Sequence, residues 1–375
     1  MITSKKRNKH ADLTKPKLGQ FARQELAVYG TSCNEVKAFV EKLRSLLPEF
    51  NIGFADADHT ENPENISGTH WQDQINAIQV TTSSANQVYS RRIALNETSM
   101  VIVNGNHFQA DAQIIICNPE KENSLRKRAD QLTNVVAVCT LDGGDIPGFV
   151  KEVIPHDQKP LTIDLSDEGN LTNFIRHRFL QPALMKSLIL TGGKSVRMGR
   201  DKALINYHGQ AQFLHLYHLL ESQGLEPYIS CREEQAEFFE EAKCRTIVDR
   251  INGFGPLGGI ISSFMSHPDH AWLVVACDLP MLDNEIIQQL MNSRKSTSIA
   301  TSFQSPHDKF PEPLIAIWEP SAYMRIMEFV AQGVSCPRKV LINSNIHLIH
   351  AVDGEKLSNV NTPDDLDDLF PDLNA

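Results

Sequence analysis

Ser187-Leu188-Ile189-Leu190-Thr191-Gly192-Gly193-Lys194-Ser195-Val196-Arg197-Met198-Gly199-Arg200-Asp201-Lys202 runs from a short apolar segment straight into a glycine pair and a row of cations. An apolar run of this length, stopped by turn residues, reads as a buried strand. A strand that empties into glycines can bring backbone N–H groups against phosphate oxygens, because no Cβ stands in the way. Arg197 can clamp two oxygens at once, and Lys202 offers a point charge against developing negative charge. The plainer reading is a strand-to-helix turn that carries surface cations.

Outward from this stretch, strands and helices alternate, which predicts an α/β fold with a mostly parallel sheet. Towards the C-terminus, strands are expected at Ser187–Leu190, Pro227–Cys231, Arg245–Val248, Trp272–Cys277, Ser298–Phe303, Leu314–Trp318 and His347–Val352. Helices are expected at Gln212–Gln223, Leu257–Met265, Asn284–Asn292 and Ser321–Gln332. Towards the N-terminus a second series begins with a strand at Leu26–Tyr29. A helix from about Asn34 to Leu47 follows, with Val36, Phe39, Val40, Leu43, Leu46 and Leu47 on one face. Further strands are expected at Met100–Asn104, Gln113–Cys117, Val135–Thr140 and Leu161–Leu165, and helices at Leu125–Leu132 and Leu171–Leu180. Residues 56–75 are polar and read as a long loop. Pro182, just after a helix end, marks the boundary between domains at 1–182 and 183–375.

The chain has 375 residues, 41% of them hydrophobic and 22% charged, an ordinary globular balance that leaves room for two cores. Its formal net charge of -10 disfavours nucleic acid and anionic membrane surfaces as partners. No apolar run approaches the roughly 20 residues of a membrane span, and no apolar stretch follows the basic N-terminus as in a secretory signal. The seven cysteines are odd in number and include no CxxC pair, so buried free thiols in a reducing compartment are expected, hence a cytoplasmic location.

Two carboxylates stand where chemistry is expected. Asp249 ends the strand before Gly255-Pro256-Leu257-Gly258-Gly259, which opens a helix whose N-terminus suits an anion or a closely approaching ligand. Trp272-Leu273-Val274-Val275-Ala276-Cys277-Asp278 delivers Asp278 at a buried strand's C-terminal tip, the edge at which open α/β sheets bind ligands. A carboxylate there suits Mg²⁺, which keeps several waters and bridges phosphates. Each aspartate also has a bland alternative, a strand-end or helix cap.

The pattern LTGGKSVRMGRDKAL resembles the signature of the molybdenum cofactor guanylyltransferase family (MobA), within the wider nucleotidyltransferases. It differs from a Walker loop, since the lysine comes ten residues after the first glycine and no Ser/Thr follows it. The resemblance implies a Rossmann-like fold with helices on both faces, and a nucleotide site of Leu190, Thr191, Gly192, Gly193, Lys202, Asp249 and Asp278. It implies catalytic roles for Lys202, Arg197 and Asp278, with Asp278 holding Mg²⁺. Phe310-Pro311-Glu312-Pro313-Leu314 and Asn359-Val360-Asn361-Thr362-Pro363-Asp364-Asp365-Leu366 match two later family segments, making Glu312, Asn359 and Asn361 acceptor-side candidates; a plain turn and a helix cap are the alternatives. One position departs: strand Pro227–Cys231 continues into Arg232-Glu233-Glu234, where some members place an asparagine near the nucleotide, and Ser230 is the candidate for that contact. The implied reaction moves GMP from GTP to the molybdopterin cofactor and releases pyrophosphate, with other molybdenum cofactor biosynthesis or acceptor proteins as further partners. CTP, or another acceptor such as a sugar phosphate, is the alternative.

The N-terminal series opens with a strand, a glycine turn and an amphipathic helix, the layout of a phosphate-binding loop. Cys33-Asn34-Glu35 replaces the Gly-Lys-Ser/Thr that such a loop needs, which makes NTP hydrolysis improbable. With Ala55-Asp56-Ala57-Asp58-His59 and Val101-Ile102-Val103-Asn104-Gly105, this half resembles a degenerate, P-loop-like MobB protein, the GTP-binding companion of the guanylyltransferase. A non-hydrolytic binding or docking module is the role this implies.

Overall fold

A computed structural model describes residues 21–57, 69–74, 77–82, 88–141, 143–191, 202–362, 364–365 and 370. The chain divides into two compact units, Met1–Gln181 and Pro182–Ala375.

The first unit is built on a parallel sheet. Its elements in chain order are β1 (Glu25–Tyr29), α1 (Cys33–Leu46), β2 (Ile52–Ala55), β3 (Thr69–Gln74), β4 (Ala77–Thr82), α2 (Val88–Ala94), β5 (Met100–Asn104), β6 (Ala112–Ile116), α3 (Glu122–Arg126), β7 (Val135–Thr140), α4 (Gly148–Val153), β8 (Leu161–Asp164) and α5 (Glu168–Phe179). The six-stranded sheet has the order β2-β5-β1-β6-β7-β8, with every pair parallel. Period-two alternation sends Leu26 and Val28 to a core with Val36, Phe39, Val40 and Leu43 of α1 and Leu171 and Ile175 of α5. Ala27 and Tyr29 face the opposite core, with Leu125 of α3 and Phe149 and Val150 of α4.

Residues 69–74, read above as part of a long loop, instead pair antiparallel with 77–82 in a separate two-stranded sheet. Main-chain hydrogen bonds make that ladder, and a polar sequence does not oppose them. The helix expected at Leu125–Leu132 breaks into α3 and a 3-10 turn at Ala129–Gln131. Leu125 and Leu132 are still both buried, so the apolar signal was right about burial and wrong about continuity.

The second unit carries β9 (Met185–Leu190), α6 (Gln212–Ser222), β10 (Pro227–Cys231), α7 (Glu233–Glu241), β11 (Thr246–Val248), α8 (Pro256–Ser266), β12 (Ala271–Ala276), α9 (Asn284–Asn292), β13 (Ala300–Gln304), β14 (Pro311–Trp318), α10 (Ala322–Ala331), α11 (Pro337–Ile342) and β15 (Ile346–Ile349). Its seven strands lie in the order β11-β10-β9-β12-β14-β13-β15, and β14 alone runs against its neighbours. Ile189, Leu273, Val275, Ile315 and Ile317 face α6, α7 and α9. The alternate residues Leu188, Trp272, Val274, Ala316 and Trp318 face α8, α10 and α11. Helices therefore cover both faces of a mostly parallel sheet. Helix α7 escapes the apolar pattern because it buries only Phe239.

Five cysteines are buried, Cys33 is half-buried, Cys336 is exposed, and all seven are free. Among the described residues, no helix is long and apolar enough to cross a membrane.

Candidate active site

Strand β9 sits between β10 and β12, so the chain winds outward from it first to one side and then to the other. Where strand order reverses this way, loops leave the C-terminal edge in opposite directions and open a crevice. Leu190 is paired with Ala276 across that edge, and Cys277 N–H donates to the Leu190 carbonyl at 3.3 Å. The C-terminal end of β9 and the carboxylate after β12 are thereby delivered to one place.

Lys202 opens a 3-10 turn, Lys202–Leu204, whose Ala203 is fully buried and anchors it. The lysine Nζ lies 3.6 Å from Asp278 Oδ2 and donates to Asn361 Oδ1 at 2.7 Å. The Val360 N–H donates to the Asp278 carbonyl at 2.9 Å, and the Val360 side chain packs fully buried against Ile205 and Tyr207. Val360 and Asn361 thus meet both the 3-10 turn at Lys202 and the tip of β12. Asp365 stiffens this segment by accepting from the N–H groups of Asn361 and Thr362 at 2.8 and 2.9 Å. Those bonds, the Asn361 one first, hold the Asp365 carboxyl below its ordinary range.

Burial pushes the Asp278 carboxyl above the usual aspartate range; the Lys202 ammonium opposes this and the nearby Glu312 carboxylate adds to it. Glu312, on β14, is held by Arg338 at the start of α11, whose Nη2 donates to Oε2 at 2.7 Å. Asp278 faces Lys202, and Glu312 faces Arg338, yet burial still leaves the Asp278 carboxylate under-compensated. That is the condition a bound cation relieves.

On the other side of β9 the ends of three strands are tied together. Thr191 Oγ1 donates to the Ser230 carbonyl at 2.7 Å, and the Ser230 hydroxyl donates to Asp249 Oδ1 at 2.7 Å. Asp249 is also raised, by burial first, with the Ser230 hydrogen bond and Arg232 opposing. Ser230 is 1% exposed, so its reach is to Asp249 rather than outward. The glycines of 255–259 turn out to serve packing. A Cβ on Gly259 would stand 2.3 Å from Ser230 Oγ and 2.7 Å from Leu190 Cδ2, and one on Gly258 would stand 2.7 Å from the Ile251 carbonyl. Gly255 caps α8 at φ 53°, a left-handed conformation that favours glycine.

Of the expected site residues, the structure brings Leu190, Thr191, Lys202, Asp249, Asp278, Glu312 and Asn361 to this edge. Asn359 is exposed on the closing segment. Gly192, Gly193 and Arg197 lie outside the described residues. Arg338 escaped the sequence reading because nothing in Pro337-Arg338-Lys339 sets it apart from a surface helix start. Among the described residues, no group of three or more His, Cys, Asp or Glu side chains could hold a metal by itself.

Residues 187–346 match the model of the MobA-like NTP transferase domain. A molybdenum cofactor biosynthesis bifunctional protein of Synechocystis sp. is 34% identical over 178 residues, covering 48% of this chain and 51% of that protein, so the match spans only about half of that relative. A molybdenum cofactor guanylyltransferase of Pseudomonas putida is 31% identical over 186 residues, covering 48% of this chain and 95% of that protein. Among solved structures, the molybdopterin-guanine dinucleotide biosynthesis protein A of Archaeoglobus fulgidus is 25% identical, with a TM-score of 0.43, covering 49% of this chain and 96% of that one.

Proposed function

We propose that this chain, which belongs to the MobA-like NTP transferase family and is thus a nucleotidyltransferase acting on an NTP, transfers GMP from GTP to molybdenum cofactor. The products are the guanine dinucleotide form of the cofactor and pyrophosphate. The observation that supports this best is the meeting of Lys202 and Asp278, 3.6 Å apart at the crevice where strand order reverses.

Nucleotidyl transfer needs in-line placement and charge neutralisation more than covalent catalysis. A terminal phosphate oxygen of the acceptor attacks the α-phosphate, and the bond to pyrophosphate breaks. The acceptor oxygen is already ionised near neutral pH, so no general base is required. Lys202, held by Asn361, is assigned to compensate charge on the departing pyrophosphate. Arg197, on the same loop, is assigned a second clamp. The backbone of Leu190 and Thr191 is assigned to the phosphates, as the sequence pattern assigns Gly192 and Gly193, and Asp249, aimed by Ser230, is assigned to the nucleoside. Glu312, Asn359 and Asn361 form the acceptor side.

Mg²⁺ fits the donors present. It is commonly bound by one or two carboxylates together with substrate phosphates and waters, so a site without a three-ligand cluster is expected. Asp278 would hold it, since a bound cation would compensate a carboxylate that burial leaves under-neutralised. When bound, it would neutralise phosphate charge and fix the triphosphate's orientation. The first unit is assigned the role of a non-hydrolytic binding or docking module, because Cys33-Asn34-Glu35 carries neither lysine nor hydroxyl.

The test is pyrophosphate release from purified protein, Mg²⁺ and molybdenum cofactor with each of the four NTPs. GTP alone should support it. Release with CTP and not GTP would defeat the guanine assignment. Release only on adding a sugar phosphate would defeat the acceptor.

A further inference from the structure

The first unit has a nucleophile of its own. Cys33 follows the N-cap Ser32 of α1, as the first residue of that 14-residue helix, at the C-terminal edge of β1. Strand β1 lies between β5 and β6, so this edge is also a reversal of strand order. The Cys33 sulfur is 3.3 Å from His107 Nε2, and Asn106 Nδ2 reaches it at 3.9 Å. The same His107 nitrogen is 3.7 Å from Asp56 Oδ1. Asp56 is fixed by Asn104, which is fully buried and donates from Nδ2 at 2.8 Å. Asn104 Oδ1 in turn receives the Asn106 N–H at 3.0 Å and its Nδ2 at 2.9 Å. A thiol, a proton acceptor within reach and a carboxylate beside that same acceptor nitrogen, the carboxylate held by a buried amide, form the arrangement of an activated cysteine.

We propose that Cys33 is a thiol–disulfide exchange site for small polar disulfides, with His107 as its proton acceptor. The Cys33 thiol proton moves to His107 Nε2, where the Asp56 carboxylate faces the resulting cation. The thiolate then attacks one sulfur of the disulfide. A new S–S bond forms to Cys33, the original S–S bond breaks, and the departing thiolate takes the proton back from His107. Cys33 is oxidised and the released sulfur is reduced, so no further oxidant is needed. A small partner is required because Cys33 is half-buried, and a polar one because amides and an imidazole surround it.

Cys336 supplies an internal standard, since it is exposed and would react first if access alone decided. The experiment exposes the full chain to oxidised glutathione at neutral pH, quenches with acid at intervals, and follows the mixed disulfide on each cysteine by peptide mass mapping. Cys33 should react at least about ten times faster than Cys336. His107→Gln should slow Cys33 about tenfold or more and leave Cys336 unchanged. Should His107→Gln lose its cooperative melting transition, Asp56→Asn is read instead, with a slower Cys33 again expected. Faster reaction of Cys336, no adduct on Cys33, or an unaltered Cys33 rate in the folded variant would overturn the proposal.

Discussion

Replacing Asp278 by Asn should abolish turnover and yet make the second unit more stable. The two effects come from the same charge. At 3.6 Å, the Lys202–Asp278 attraction is worth at most about 4–5 kcal/mol in the intermediate dielectric of a partly buried pair. Removing the carboxylate from water costs several kcal/mol as well. The raised carboxyl shows which side wins, since burial outweighs the lysine and Glu312 adds repulsion. An amide of the same shape removes that net penalty, for a gain of about 1 kcal/mol, or roughly 2–4 °C in Tm for a unit of this size. A group whose folded pKa lies above its unfolded value contributes stability below the unfolded pKa and loses it as pH rises through the folded one. The Tm advantage of Asp278→Asn should therefore be largest at neutral pH and shrink as pH is lowered into the carboxyl's raised range. Turnover should fall by about a thousandfold, as expected when a ligand to a phosphate-bound metal is lost. Differential scanning calorimetry across pH and pyrophosphate release read the two effects. A lower Tm at neutral pH, or retained turnover, would refute the reasoning.

Three other substitutions probe the surroundings. Asn361→Ala frees Lys202 from its 2.7 Å hydrogen bond, and kcat should fall about tenfold with little change in melting. Gly259→Ala drives a methyl group into Ser230 and Leu190 and should cost about 1–3 kcal/mol, seen as a lowered denaturation midpoint. Arg294→Met strands Glu319, which is 2% exposed and accepts two arginine hydrogen bonds at 2.6 and 2.8 Å; a loss of about 3–5 kcal/mol in urea unfolding is expected.

The second unit was legible in its sequence where local rules decide. Apolar runs such as Trp272–Ala276 announce buried strands, and the carboxylate at such a strand's tip can only emerge at the sheet's edge. What was hidden depends on contacts far apart in the chain. Asn361 meets Lys202 across 159 positions, and nothing near either residue specifies the other. The Ser230 hydroxyl donates to Asp249, and α8 passes so close to Ser230 that a Cβ at 259 would clash with it, neither of which is visible in the sequence. Arg338 and α7 were missed for a related reason, since each has a mostly solvated surface pattern: Arg338 matters through half-buried Glu312, and α7 buries Phe239 alone. In the first unit the absence of a Gly-Lys-Ser/Thr run at Cys33-Asn34-Glu35 was readable. Its Cys33–His107 contact was not, because 74 residues separate the pair.

The central claim is that Lys202 and Asp278 serve one nucleotide–metal complex. A crystal structure with a non-reacting GTP analogue and Mn²⁺, located by its anomalous scattering, tests it most directly. The metal should sit within about 2.3 Å of an Asp278 oxygen, on a triphosphate that Lys202 Nζ also touches. A nucleotide bound beyond reach of either side chain, or Mn²⁺ on a different carboxylate, would contradict it.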